Sequence, residues 1–319
     1  MNAAEAEALF GQMLDGDMAN AQIAATLTEL AERGESAAEI AGAVRAMRAR
    51  MIPVAAPAGA IDVCGTGGDG QHSLNVSTAV ALVVAACGVP VAKHGNRAAS
   101  SMAGGADTLE ALGLNLARAS QMAEATLADM GIAFLFAQAH HPALARVAPI
   151  RKALGRRTIF NLIGPLANPA GVTRQLVGVA HPALISLYRD AMELLGTDAA
   201  LIVSGAEGLD ELSIAGTSYL AAIGLPGMPI EIRPDDAGLA PHPLEALRGG
   251  DAEFNAAALR RLLLGESGAY RDAVLLNAAA ALIVAGEVDS WLEGVEEAAE
   301  ALDKGLAKAL LDCWIEWVK

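Results

Sequence analysis

Aromatic side chains are scarce in this chain: Phe, Tyr and Trp make up 3% of its 319 residues. The core must therefore be built mainly from Ala, Leu, Val and Ile, which suits helices packed tightly on a parallel sheet. Cysteine is scarcer still. Cys64, Cys87 and Cys313 form no CxxC pair, and their odd number argues against a disulfide framework, so each reads as a small core residue in a reducing cytoplasm. Positive charge is also short. The chain has 22 Lys and Arg against 37 Asp and Glu, a formal net charge of −15, which disfavours nucleic-acid binding because that needs a basic face. No secretory leader is visible, the N-terminus being acidic and alanine-rich. No membrane span is expected either. Residues 73–92 carry no formal charge, but Asn75, Ser77, Thr78, Gly88 and Pro90 interrupt them, so the segment reads as a buried helix followed by a strand.

Apolar residues make up 54% of the chain and charged residues 18%, enough for a sizeable core, and the length suits one large domain or two unequal ones. The first 51 residues read as helices only. Leu9, Phe10, Met13 and Leu14 form one apolar face, and Ile23, Leu27 and Leu30 a second. Ile40, Val44, Met47 and Met51 form a third, behind a capping box of Ser36 and Glu39, with Gly34 marking the boundary before it. These faces exceed what so small a bundle can bury, which predicts a second subunit over part of them. Pro53 to Gly59 is a linker by composition. Strand-like runs follow at Ile61–Cys64, Val89–Lys93, Ile132–Phe136, Gln175–Ala180, Ala200–Ser204, Tyr219–Ile223 and Pro229–Arg233, with helical patterns between most of them. That alternation predicts an α/β fold with a mostly parallel sheet. Asn255 to Lys319 reads as mostly helical, with Trp314 and Trp317 in its core.

The densest polar segment is Lys93-His94-Gly95-Asn96-Arg97-Ala98-Ala99-Ser100-Ser101. It gathers two cations, an imidazole, an amide and two hydroxyls at the end of a buried strand, where open α/β sheets bind ligands. Gly65-Thr66-Gly67-Gly68-Asp69-Gly70 ends an earlier strand and satisfies GxGxxG, a weak signal alone. A dinucleotide site would put an acidic residue about 20 positions further on. Here that region holds Lys93, His94 and Arg97, which favour phosphate over a ribose diol. The GxxxxGK[ST] pattern of a P-loop is absent. What remains is a nest of backbone N–H groups for an anion, followed by Asn75, Ser77 and Thr78 at the start of an apolar helix. An ordinary N-cap with a tight turn is the plain alternative. Two strand ends that both favour phosphate suggest a substrate with more than one phosphate group.

Asp210 and Glu211, within Gly208–Ser213, are either a solvated turn or, beside a polyphosphate, ligands for Mg²⁺. His140-His141-Pro142 precedes a helix with Arg146, Arg151 and Lys152, then Arg156, Arg157 and Asn161, then Gly164-Pro165-Leu166-Ala167-Asn168-Pro169. The His pair lacks zinc-ligand spacing. The cations either clamp a substrate carboxylate or solvate a helix face, and Arg is the better clamp because its fork is bidentate.

GTGGDG (65–70), NVST (75–78), KHGNR with SS (93–97, 100–101), ADTLEALG (106–113), HHPALARVAPIRKALGRRTIFNLIGPLANP (140–169) and GLDELS (208–213) together resemble the anthranilate phosphoribosyltransferase family, in its order and spacing and over nearly the whole chain. The resemblance implies a nucleoside phosphorylase/phosphoribosyltransferase-like fold. A small helical N-terminal domain, residues 1–58 completed by helices near 140–158, would form a homodimer. A large, mostly parallel α/β domain, residues 59–319, would bind phosphoribosyl pyrophosphate. The implied activity is transfer of its phosphoribosyl group to anthranilate in tryptophan biosynthesis. Two Mg²⁺ ions per site, a cytoplasmic setting and an association with anthranilate synthase belong to the same expectation, with no nucleic-acid or membrane partner.

By motif, the resemblance assigns Gly65, Thr66, Gly68, Asp69, Asn75, Ser77, Thr78, Lys93 and Ser101 to phosphoribosyl pyrophosphate. It assigns Gly65, His94, Asn96, His141, Arg151, Gly164 and Pro165 to anthranilate, and Ser77, Asp210 and Glu211 to Mg²⁺. The chain departs from the commonest family pattern at Met102, often Lys, and at Gly105, often Ser. The second change removes a phosphate-contacting hydroxyl, for which backbone N–H groups and Ser100 or Ser101 are expected to compensate. Two rival readings remain. A pyrimidine nucleoside phosphorylase-like enzyme is expected to be longer, with a further C-terminal domain. Against a non-catalytic nucleic-acid-binding relative stand the net charge and the intact Asn96 and Arg151 positions.

Overall fold

The computed structural model describes residues 1–98 and 102–319. Helices α1 (Ala3–Asp15), α2 (Asn20–Arg33) and α3 (Ala37–Arg48) come first. β1 (Ile61–Gly65), α4 (Val76–Ala86) and β2 (Val91–Gly95) follow, then α5 (Gly105–Ala111), α6 (Leu116–Gln121), α7 (Ala123–Met130) and β3 (Ile132–Phe136). α8 (Ala137–His140) and α9 (Leu144–Leu154) lead to β4 (Arg174–Gly178), α10 (Ile185–Leu194), β5 (Ala199–Gly205), β6 (Ser218–Ile223) and the two-residue β7 (Glu231–Ile232). The last helices are α11 (Ala252–Leu263), α12 (Ala269–Ala285), α13 (Trp291–Asp303) and α14 (Leu306–Trp317).

The strands form one sheet in the order β3-β2-β1-β4-β5-β6-β7. β1 to β5 run parallel, and β6 and β7 are antiparallel at one edge. Side chains alternate along a strand, so each face of the sheet builds its own core. Val63, Leu176, Leu201 and Val203 join the core that holds α4, α11 and α12. Cys64, Val177, Ala200 and Ile202 join the core of the N-terminal helices, α9 and α10. α4 and α12 are apolar on nearly every side because they are buried in the first layer.

Most of the apolar surface of the N-terminal bundle is covered within the chain, although Leu9 and Met51 stay half-buried. Phe10, Met13, Ile23, Leu27, Leu30, Ile40, Val44 and Met47 are all buried within the single chain. They pack with Val147 and Ile150 of α9, with Phe160, and with Tyr188 and Met192 of α10. The Phe10 and Phe160 rings meet edge to face at 5.9 Å. Elements far along the chain thus cover most of the surplus expected from residues 1–51 alone.

Other expectations shift in detail. β2 starts at Val91 because Pro90 has no N–H to give the ladder, and it runs on through His94 to Gly95. β4 starts at Arg174 and ends at Gly178. The run at Pro229–Arg233 pairs only at Glu231 and Ile232. Trp314 is buried, but Trp317 is 41% exposed, and Cys313 is exposed, so neither is a core residue. Among the described residues no helix is long and apolar enough to cross a membrane.

Glu39 anchors the bundle electrostatically. Its side chain is buried and accepts hydrogen bonds from Arg33 Nη1 and Nη2 at 3.1 and 2.6 Å and from the Ser36 N–H at 3.0 Å. Burial alone would raise its pKa. The Arg33 guanidinium and the Ser36 cap outweigh that and bring it down to about 2 from the usual 4.5. A depressed carboxylate stabilises the fold fully above the unfolded value and loses that contribution as pH falls between 4.5 and about 2. Because Arg33 is largely exposed, we expect Glu39→Gln to cost about 1–2 kcal/mol at pH 7. Acid titration of stability should show the variant losing less than the parent below pH 4.5, and identical acid profiles would contradict this account.

Candidate active site

The sequence leaves β1 in one direction, through β2 to β3, and later returns to β4 on β1's other side. The sheet order thus reverses between β1 and β4, the place where open α/β sheets bind ligands. Gly65 and Gly178 end these two strands and are register partners. Asp210 rests directly on both. A β-carbon on Gly65 would overlap its carboxylate, and one on Gly178 would overlap its backbone carbonyl. Glycine at these two positions is what lets the acidic loop sit on the end of the sheet.

Three more elements close in on the pair. The Gly67 N–H donates to Asp210 Oδ2 at 2.7 Å, from a loop in which Gly67, Gly68 and Gly70 all adopt positive φ. The Ser77 N–H, in the first turn of α4, donates to Glu211 Oε1 at 3.2 Å. From β2, Lys93 Nζ donates to the Val63 carbonyl at 2.7 Å and to the Ser77 hydroxyl at 3.2 Å. Asp69 sits within electrostatic reach of both acidic residues. Gly65, Gly67, Asp69, Ser77, Lys93, Asp210 and Glu211 are thus brought into one place.

Glu211 is buried and Asp210 half-buried, so the pair is not a freely solvated turn. Burial first, then the repulsion of Asp69 on Asp210 and of Asp210 on Glu211, pushes both carboxyls well above the usual range, against the opposing Lys93 charge. Among the described residues no three His, Cys, Asp or Glu side chains gather to hold a metal by themselves. Two strained carboxylates and a hydroxyl suit a hard divalent cation whose shell is completed by oxygens of an anionic substrate.

Asn75 precedes α4 without capping it, so the ordinary N-cap reading also fails. Its Nδ2 donates to the Ala103 carbonyl at 3.2 Å, and its Oδ1 accepts from the Thr108 hydroxyl and from Asn255 Nδ2 at 2.9 Å. The Thr66 N–H donates to the Gly178 carbonyl at 2.9 Å, tying the glycine loop to β4. Thr78 is buried in α4. Its hydroxyl lies 2.9 Å from where a β-carbon on Gly105 would stand, so glycine there leaves room for Thr78. Met102 is exposed. Ser101, and Ser100 with it, lie outside the described residues.

The second group gathers at the end of β2. His94 Nδ1 meets the Gly164 carbonyl at 3.1 Å, and its ring lies 5.1 Å from that of His141. Burial depresses both imidazoles, His94 to about 3 and His141 to about 4, so both are neutral at pH 7. The Pro165 carbonyl accepts from Gln175 Nε2 at 2.9 Å. Arg48 donates twice to the Leu166 carbonyl, at 3.0 and 2.7 Å. Arg151 lies over the Phe160 ring at 5.3 Å, partly buried, with no carboxylate partner among the described residues. Asn96 is exposed, and its Oδ1 accepts from the Arg97 N–H at 2.8 Å. No bond joins Asn96 to Arg151 among the described residues. Asp107 holds the Ala98 and Gly104 amides at 3.0 and 2.9 Å, and Arg97 clasps Asp107 and Glu110 in turn.

Three residues here lay outside the sequence-based assignments. Asp62, fully buried in β1, accepts from the His94 N–H at 3.0 Å and from Asn168 Nδ2 at 2.8 Å. Asn168 also donates to the Ala92 carbonyl at 2.7 Å, so the pair locks β1 to β2 and to the 162–169 loop. An acid inside an apolar strand was the available signal. Gly178 had none, because its reason is the packing of Asp210.

Fold and site together define a transferase-like α/β protein with a helical bundle, whose acidic residues and glycine loop meet where its sheet order reverses. Residues 1–51 match the glycosyl transferase family helical bundle domain, and residues 58–308 match its a/b domain. The chain is 67% identical over 313 residues to an anthranilate phosphoribosyltransferase of Novosphingobium aromaticivorans, covering 98% of this chain and 95% of that protein. The crystal structure of the Thermus thermophilus anthranilate phosphoribosyltransferase superposes with a TM-score of 0.93 at 43% identity, covering 100% of this chain and 96% of that one. The Saccharomyces cerevisiae enzyme in complex with PRPP and Mg superposes with a TM-score of 0.89 at 28% identity, covering 99% and 93%. The chain belongs to the anthranilate phosphoribosyltransferase family.

The close seat of Asp210 can be tested directly. Gly178→Ala should cost about 1–3 kcal/mol through overpacking. Gly216→Ala, whose β-carbon would meet nothing within 4 Å, should stay within about 0.5 kcal/mol of the parent. Chemical denaturation measures both, and equal stabilities would mean that Asp210 does not rest on the sheet end.

Proposed function

We propose that this chain transfers the phosphoribosyl group of phosphoribosyl pyrophosphate to the amine of anthranilate, giving N-(5-phosphoribosyl)anthranilate and pyrophosphate in tryptophan biosynthesis. The observation that carries this reading is the adjacent pair of half-buried Asp210 and buried Glu211, facing Ser77, Lys93 and the glycine loop. A polyphosphate with its cation answers the repulsion between those carboxylates, and the yeast relative is bound to PRPP and Mg. In this reading Gly65, Thr66 and Gly68, with Asp69, the Asn75–Thr78 turn and Lys93, hold the diphosphate and ribose, joined by Ser101. Ser77, Asp210 and Glu211 hold Mg²⁺, and Asp69 adds enough carboxylate for a second ion. Bound there, Mg²⁺ would neutralise the charge that builds on the departing pyrophosphate.

Arg151 clamps the anthranilate carboxylate. It is a half-buried guanidinium without a carboxylate partner among the described residues, and an incoming carboxylate restores a charge-assisted pair. His94, His141, Gly164 and Pro165 line the approach, Gly65 borders it, and Asn96 orients the ring. The aniline-type amine is neutral at pH 7, so no base is needed to make it a nucleophile. It attacks C1 of the ribose, the C1–O bond to pyrophosphate breaks with inversion, and the nitrogen then sheds its proton. His94, held near pKa 3, is too weak a base to drive that step and acts by shape and neutral hydrogen bonding. Rate enhancement comes from positioning and from stabilising the leaving group.

The same reading assigns residues 1–58, completed by the helices near 140–158, to a homodimerisation domain and residues 59–319 to the substrate domain. It places the enzyme in the cytoplasm, in keeping with three free thiols, and extends to association with anthranilate synthase. Light scattering should give twice the 32.5 kDa chain mass, and a monomer at micromolar concentration would remove the dimer.

Loss of anthranilate fluorescence on mixing protein, Mg²⁺, phosphoribosyl pyrophosphate and anthranilate tests the activity, and no loss would reject it. Arg151→Ala should weaken anthranilate by about 2–4 kcal/mol in apparent KM while leaving phosphoribosyl pyrophosphate KM nearly unchanged. An unaltered anthranilate KM would remove Arg151 from this role.

A further inference from the structure

Helix α12 carries two polar side chains that reach the two halves of the site from behind. Tyr270, in its first turn, donates its hydroxyl to the Asn75 carbonyl at 3.2 Å, two residues before Ser77. Asn277 lies seven residues on, two helical turns away, and therefore on the same face. Its Oδ1 accepts from the Leu212 N–H at 2.9 Å, and its Nδ2 donates to the Leu212 carbonyl at 3.0 Å. Leu212 directly follows Glu211. One straight helix thus grips the phosphate-side turn with one residue and the carboxylate loop with another, about 10 Å apart along its axis.

The choice of residue at 277 is informative. Every other residue from Ala273 to Val284 is apolar, and all twelve are buried. An amide there costs free energy unless it is fully paired. Besides a bond within its own helix to the Ala273 carbonyl at 2.9 Å, its partners are the two backbone groups of Leu212. Apolar packing would hold α12 against the sheet equally well, but it would not fix the register of the acidic loop. The other half is held with similar care. Asn255 on α11 accepts from the Gly250 N–H at 2.8 Å and donates to Asn75 Oδ1. With Thr108 and Ala103 also engaged, the Asn75 side chain is committed to protein partners.

We propose that Tyr270 and Asn277 are positioning residues that set the spacing between the Asn75–Thr78 turn and the Asp210–Glu211 loop, and so the affinity for Mg²⁺ and phosphoribosyl pyrophosphate. Neither touches substrate, and the assignment rests on the reading of this site as the Mg²⁺–phosphoribosyl pyrophosphate site. Asn75 accordingly serves as the hub that Tyr270, Asn255 and Thr108 hold, and its backbone passes their hold on to Ser77.

The test compares the parent with Tyr270→Phe, which keeps the ring and removes only the hydroxyl, and with Asn277→Leu, which keeps the volume. Calorimetry measures phosphoribosyl pyrophosphate affinity across a Mg²⁺ titration, steady-state kinetics gives both KM values, and thermal melting reports the fold. Tyr270→Phe should weaken phosphoribosyl pyrophosphate about fivefold. Asn277→Leu should raise the Mg²⁺ concentration needed for half-maximal binding about tenfold. Anthranilate KM should stay within about twofold in both. Folded variants with parental Mg²⁺ and phosphoribosyl pyrophosphate affinities would overturn the proposal, as would equal losses for both substrates that track only a lower melting temperature. If Asn277→Leu does not fold, Tyr270→Phe decides alone. A parent protein that binds no phosphoribosyl pyrophosphate with Mg²⁺ would instead overturn the proposed function, and this inference with it.

Discussion

Two neighbouring carboxylates, half-buried Asp210 and buried Glu211, meet at the end of a parallel sheet, and much of the molecule is arranged to keep them there. Burying like charges side by side is costly, and the cost appears as pKa values driven upward in both groups. The fold offsets it only in part, with the Gly67 and Ser77 amides and the ammonium of Lys93. The proposed Mg²⁺ would supply the positive charge that these partners leave short.

The rest of the architecture follows from that constraint. The strand reversal between β1 and β4 opens the crevice, and Gly65 and Gly178 let the acidic loop settle on its floor. α4 presents its N-terminal turn to the same point, and β2 delivers Lys93. The helical bundle contributes at one remove. Arg48 of α3 holds the Leu166 carbonyl, and the loop it steadies also meets His94 through Gly164 and Asp62 through Asn168. Arg151 comes from α9, which shares its core with α1 and α2, so the proposed anthranilate clamp and the acidic crevice stand on different parts of the fold.

Much of this was legible in the sequence because the chain is so apolar. In a background of Ala, Leu and Val, polar runs at strand ends stand out, and Gly65–Gly70, Asn75–Thr78 and Lys93–Arg97 all lie where they were expected. Edges and faces were less legible. Pro90 delays β2 for a reason that local hydropathy does not encode. Helical spacing groups Trp314 with Trp317 but does not say which of them faces inward. The apolar surplus of residues 1–51 is smaller than it reads from those residues alone, since α9, α10 and one face of the sheet cover most of it. Gly178, Asp62, Asn168, Tyr270 and Asn277 act through tertiary contacts with residues far away in sequence, and only assembly of the fold reveals their partners.

The central claim is that Asp210, Glu211 and Ser77 form a cation site completed by phosphoribosyl pyrophosphate. The most direct measurement is anomalous diffraction from crystals grown with Mn²⁺ in place of Mg²⁺, with and without phosphoribosyl pyrophosphate. The account predicts a strong anomalous peak among these three side chains that appears or strengthens when the substrate is present. Substrate density in the crevice with no anomalous peak beside Asp210 and Glu211 would contradict it.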